Sequence, residues 1–197
     1  MHYPPGEASA LDWSLSAMVE TIDRLPRVKA WDGARAMAVI GEAVWWVTIV
    51  DATLVRHYPD VYETALEWLA DAERHTTETT FAGLRFVRNR MGYHADHADF
   101  IQPRLDDAAV GDAPITEWTW RSLPEPTVAT LPPRGQEWEL SRYQAYQDVL
   151  ADHTVGETFG RTADFHELVV RTAQAAAAEA APGAEAMGER RAARRVT

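Results

Sequence analysis

The stretch Asp32-Gly-Ala-Arg-Ala-Met-Ala-Val-Ile-Gly-Glu-Ala-Val-Trp-Trp-Val-Thr-Ile-Val-Asp-Ala-Thr-Leu-Val-Arg-His57 decides how the rest of the chain is read. Its apolar positions, among them Met37, Ile40, Val44, Trp45, Val47 and Leu54, surround a helix instead of striping one side. A helix apolar nearly all round belongs at the centre of a bundle. Its longest apolar run, residues 43–50, lies between Glu42 and Asp51 and falls well short of the roughly 20 residues that span a bilayer. The expectation is therefore a soluble, mainly α protein with this helix in its core and no membrane partner.

Reading outward, Leu11, Leu15, Met18, Val19 and Ile22 recur at helical spacing behind Ser9 as an N-cap, and Pro26 stops them. Beyond His57, Pro59-Asp60 restarts the chain, with Asp60 as cap and Glu63 three residues on in the manner of a capping box. A fourth helix is expected to begin among Thr76, Thr77, Thr79 and Thr80, to carry Phe81, Leu84, Val87 and Met91, and to kink or end at Gly92. Four helices with short connections over residues 1–102 read as an up-and-down bundle. Residues 103–182 read as an extension packed on it. In that extension, prolines at 103, 114, 124, 126, 132 and 133 exclude continuous helix, and Ile115-Thr-Glu-Trp-Thr-Trp-Arg-Ser-Leu123 alternates as a strand or hairpin. Helical spacing returns over residues 137–151 and again from Val155 to about Ala181, ahead of Pro182-Gly183. Residues 183–197 read as a disordered basic tail. Trp13, Trp45, Trp46 and Trp68 are assigned to packing, and Trp118 and Trp120 to pinning the proline-rich segment, with a base-stacking surface as their alternative use.

The chain has 197 residues and a net charge of −11, from 19 basic and 30 acidic side chains. Such a chain does not coat nucleic acid non-specifically. It has no cysteine, which excludes disulfides and thiolate metal sites and fits a cytoplasmic location. No Gly-rich phosphate loop, Gly-x-Ser-x-Gly elbow or His-Glu-x-x-His is present, and no cofactor is expected. Against this acidic background, residues 85–97 stand out: Arg85, Arg88 and Arg90 against Asp96 make the stretch formally +2, with His94 and His97 beside them.

These residue types suit metal-free cleavage of RNA, which needs a base for the 2′-hydroxyl proton, an acid for the leaving 5′-oxygen and positive charge at the phosphate. His94, with an ordinary pKa near 6.5, exchanges protons near neutrality; Arg88 offers a fork of donors to phosphate oxygens; Asn89 can orient either. Three Arg/His pairs have comparable spacing, Arg88/His94, Arg90/His97 and Arg161/His166, and only in the first does Asn follow the Arg. Arg88-Asn89, four more residues and His94, at the end of a fourth helix, resembles the signature of the HEPN superfamily, and the resemblance covers roughly residues 9–102. It implies an all-α bundle, a homodimer and a metal-independent endoribonuclease of toxin or defence type. Arg88, Asn89 and His94 would be catalytic in it, and a cognate antitoxin or regulatory protein would be its partner. Arg85, Arg90 and Tyr93 are the candidate RNA-binding residues. In HEPN toxins paired with minimal nucleotidyltransferases a Tyr follows the His by two positions, whereas here Asp96 stands there.

Six residues along an unbroken helix leave Arg88 and His94 about 120° apart. Either Gly92 breaks the helix and His94 folds back, or the site joins two chains across a two-fold axis. Two other readings stand beside the nuclease. One is a non-catalytic HEPN-like dimerising or nucleotide-binding module, in which the Arg and His only satisfy a helix end. The other is a metal-dependent hydrolase with His94, Asp96, His97 and Asp99 as ligands. Glu42, Asp51 and His57 could add polar groups to a site and are read first as surface or capped residues.

Overall fold

A computed structural model describes residues 7–28, 32–93, 100–105, 115–126 and 131–193. The protein is mainly helical among these residues. In chain order it consists of α1 (Glu7–Arg24), a short 3-10 turn (Leu25–Arg27), α2 (Gly33–His57), α3 (Pro59–Glu67), α4 (Asp71–Tyr93), β1 (Ile101–Leu105), β2 (Ile115–Trp120), α5 (Pro133–Val149) and α6 (Val155–Ala193).

α2 is the central element. Asp32 caps it by accepting from the Arg35 amide at 3.0 Å, and it packs against α1, α3, α4 and α6. Ala36, Ile40, Ala43, Val44, Val47 and Val50 are fully buried along it. By length and composition alone α2 is apolar enough to cross a membrane, but half of that window is buried inside the protein. It serves as a core helix, which is compatible with a soluble protein. The same core continues through Phe81, Leu84 and Phe86 of α4, Tyr146 and Leu150 after the prolines, and Phe159 and Phe165 of α6. Both halves of the chain thus contribute to one cluster of buried side chains.

Several helix ends differ from expectation. α1 begins at Glu7, so Ser9 lies inside it instead of capping it. At α3 the cap is Tyr58, with Pro59 in the first turn and no side-chain capping bond, so Asp60 and Glu63 form no capping box. α4 starts at Asp71, several residues before the threonines. Their hydroxyls do not cap: Thr76, Thr79 and Thr80 donate to the carbonyls of Ala72, His75 and Thr76, four residues back within the helix. α4 also continues through Gly92 to Tyr93. α6 passes through Pro182, in an alanine-rich sequence whose helix propensity outlasts the missing amide.

The alternating segment is β2, and it pairs antiparallel with β1, a strand the sequence did not announce. Pro103 is tolerated there opposite Trp118 because each strand of a two-stranded sheet is an edge. Trp120 is fully buried against Tyr146 and Phe159, and its indole donates to Thr158 Oγ1 at 2.9 Å. It pins the sheet to the helices and has no face for a base. Trp46 packs on the core, edge-on to Trp13. Trp13, Trp45 and Trp68 are exposed, which departs from their assignment to packing: α2 turns Val44 and Val47 inward, and Trp45 lies off that face.

Candidate functional site

α4 carries the basic stretch. Its inner face buries Phe81, Leu84 and Val87, and Arg85 and Arg88, three residues apart, lie along one side. Arg85 forms an ion pair through Nη2 with Asp51 of α2, a carboxylate without solvent exposure. Tyr62 of α3 donates its hydroxyl to the other Asp51 oxygen at 2.7 Å. Burial raises the Asp51 carboxyl above the ordinary carboxylate range, and the Arg85 charge and the Tyr62 hydroxyl act against that rise. Burial, with the neighbouring Asp51 charge, pushes the Tyr62 hydroxyl upward too. Asp51 therefore joins three helices and is neither a surface nor a capping group. Arg85, expected to lengthen an RNA-binding stripe, is held at this junction.

Arg88 is placed differently. Its Nη1 lies 3.4 Å from Thr48 Oγ1 on α2. The Thr48 hydroxyl has the Val44 and Trp45 carbonyls as its own acceptors, which leaves its oxygen lone pairs toward Arg88. No carboxylate pairs with Arg88 among the described residues. Asn89 is half-buried beside it, and the half-buried Arg90 lies with its guanidinium carbon 5.9 Å from the Phe86 ring centre. Tyr93 ends α4. His94, Asp96, His97 and Asp99 lie outside the described residues, so neither the pairing of Arg88 with His94 nor the four-ligand metal reading is drawn in the structure. α4 is unbroken at Gly92 and runs to Tyr93.

The other polar residues singled out on α2 are accounted for locally. Glu42 pairs with Arg24 of α1, and His57 ends the helix at the surface. The third Arg/His pair has no catalytic geometry. His166 is fully buried against the rings of Phe81 and Phe165, with no hydrogen-bond partner for either nitrogen. Burial lowers its pKa to about 3, so it is neutral at physiological pH.

One functional candidate escaped the sequence reading. Arg142 of α5 stacks on Trp138, one helical turn earlier, with 3.3 Å from guanidinium carbon to ring centre. Burial and the positive field of Arg85, joined by that of Arg88 and opposed by Glu139, lower its pKa to about 10. The signal that pointed to Arg142 was the Trp138/Arg142 spacing of four residues, which stacks a cation on an indole along one helix face.

The described residues form a mainly helical protein in which Arg85 and Arg88 of α4 lean on Asp51 and Thr48 of α2. No family model, curated protein or solved structure matches the chain.

Proposed function

We propose that the protein is a cytoplasmic, metal-independent endoribonuclease of HEPN type, of toxin or defence character, which works as a homodimer. The observation that carries this reading is the state of Arg88. It follows Arg85 on the same side of α4, yet Arg85 is neutralised by Asp51 whereas Arg88 has, among the described residues, the Thr48 hydroxyl at 3.4 Å and no carboxylate. Its remaining donors suit a phosphate. In the proposed reaction the 2′-oxygen attacks phosphorus as His94 of one copy takes its proton. The bond to the 5′-oxygen breaks, and His94 of the other copy protonates the leaving oxygen. The products are a 2′,3′-cyclic phosphate and a 5′-hydroxyl, and Arg88 holds the phosphate as negative charge accumulates. Asn89 orients these groups.

The test is cleavage of a labelled RNA with chelator present. Wild-type protein is expected to cut. Arg88→Ala and His94→Ala are expected to lose about 100-fold or more in rate while keeping the wild-type melting temperature. RNA left intact both with chelator and with Mg²⁺ overturns the reading. Activity lost with chelator and restored by metal transfers the chemistry to His94, Asp96, His97 and Asp99.

A further inference from the structure

The outer side of α2 carries a residue that the packing of the core leaves unexplained. Trp45 is 52% exposed in the middle of this otherwise central helix. It lies between α1, which meets α2 at Trp46 and Glu42, and α4, which meets it at Thr48 and Asp51. At helical spacing from Trp45, the same outward side carries Ala38, Ala52 and Arg56, all exposed, with the half-buried Gly41 and Ile49 among them. None of these is acidic, although the chain has 30 acidic side chains. A polyanion laid along this side is spared the repulsion it meets over the acidic body.

Thr48, three residues on from Trp45 and beside it on the helix surface, ties this side to Arg88. Its hydroxyl oxygen lies 3.0 Å from the Trp45 carbonyl oxygen and 3.4 Å from Arg88 Nη1. At most two hydrogen-bond lengths therefore separate the guanidinium nitrogen from the Trp45 backbone, the scale of the span from phosphate to base in one nucleotide. A helical side chain at position 45 leans over the preceding turn. There Gly41 offers no side chain, and Met91 of α4 lies against it, with Sδ 3.7 Å from where a Cβ would stand. Arg88 and Met91 thus meet α2 one turn after and one turn before Trp45, so α4 runs past the indole with its arginine alongside. An exposed indole next to a phosphate-binding guanidinium suits a ligand that joins a flat π-face to an anion. Every nucleobase has such a face, and only an unpaired base can turn it to a protein side chain.

We propose that Trp45 of α2 stacks on an unpaired base of RNA whose adjoining phosphate is held by Arg88, which makes single-stranded RNA the substrate. The inference rests on the nuclease reading above and adds to it a substrate-binding residue outside the Arg/His motif.

The stack is tested on the full chain with a single-stranded 2′-O-methyl oligoribonucleotide, which cannot be cleaved through its 2′-oxygen. It carries 2-aminopurine, whose fluorescence falls when the base stacks. Wild-type protein and Trp45→Phe are expected to bind it and quench it. Trp45→Ala is expected to keep the wild-type melting temperature, to bind about tenfold more weakly and to leave the fluorescence unquenched. Trp68→Ala, which removes an exposed indole from the end of α3, should behave as wild type. The same oligonucleotide annealed to its complement should bind wild-type protein as weakly as the single strand binds Trp45→Ala. No binding by wild-type protein, wild-type affinity and quenching in Trp45→Ala, or equal affinity for the duplex overturns the stack. A fall in binding that accompanies loss of a dimer in sedimentation assigns this side of α2 to a contact between copies and overturns it as well. Binding and quenching through Trp45 in a protein that cuts no RNA leaves the stack standing and overturns the nuclease. RNA cleavage at wild-type kcat and KM in Trp45→Ala does the reverse.

Discussion

Asp51 is the residue on which the candidate site rests mechanically. Its buried carboxylate is balanced by Arg85 and Tyr62, so removing it leaves a cation at a helix junction without its counter-charge. Asp51→Ala is expected to cost about 3 kcal/mol in denaturant unfolding, and Arg85→Ala in that background is expected to cost much less than it does alone. Strictly additive losses would show that the pair does not hold the helices together. His166 gives a second prediction, on acid stability. Its folded pKa of about 3 lies below the ordinary 6.5, so the unfolded chain takes the proton first as the pH falls. Stability is complete above about pH 6.5 and is lost progressively toward pH 3. At pH 5 the loss from this one group is about 2 kcal/mol. His166→Leu should therefore flatten the dependence of melting temperature on pH between 7.5 and 5, and an unchanged slope would assign the acid sensitivity to other groups.

At the scale of elements, the α4–α5 crossing is the contact most sensitive to a small change. Gly83→Ala gains helix propensity on α4 but places a methyl against the Tyr146 backbone, which cannot swing away as a side-chain tip can. The expected net effect is a destabilisation of about 1–2 kcal/mol in thermal unfolding. A more stable variant would show that the crossing has slack. α6 offers a milder test. Thr154 and Glu157 exchange hydrogen bonds, the Glu157 amide donating to Thr154 Oγ1 at 3.0 Å and the Thr154 amide to the Glu157 carboxylate at 3.1 Å. Thr154→Ala is expected to cost about 1 kcal/mol in thermal unfolding.

These elements also show what a sequence can and cannot disclose. α2 was legible because its apolar density is a local property, and the alternation in β2 is equally local. The start of α4 was misjudged because threonine hydroxyls serve equally as caps and as internal partners of the carbonyl four residues back, and only the surrounding chain decides between them. β1 was hidden by Pro103, which a central strand would reject and an edge strand accepts. Within the site, Arg85, Arg88 and Arg90 were visible as a charge anomaly, but Arg85 and Arg88 meet their partners on α2, 34 and 40 residues away in sequence. Asp51 gave no sign of burial because a lone acid in an apolar helix commonly faces water. Arg142 belongs to a segment whose link to α4 arises through packing of Gly83 and Phe86 on Tyr143, Tyr146 and Leu150, which no local pattern announces.

For the whole molecule, the distribution of charge constrains any encounter with RNA. Net charge is −11, and the last nine residues hold four arginines against one glutamate, so the remainder is at −14. An acidic body repels a polyanion, so on the nuclease reading productive contact is confined to the arginines of α4 and, in the proposed homodimer, to their symmetry mates. Each neutralised phosphate on a single strand contributes about −0.7 to the slope of log K against log salt. On the nuclease reading, one Arg88–phosphate contact per copy, doubled in the proposed homodimer, gives a slope of about −1 to −2, made somewhat shallower because salt also screens the repelling body. Binding of the 2′-O-methyl oligonucleotide is therefore expected to be weak, to decline gently with salt, and to lose part of that dependence in Arg88→Ala. Tight binding that persists at high salt, or a slope several-fold steeper, would show that RNA is held over a broad surface and not at two points.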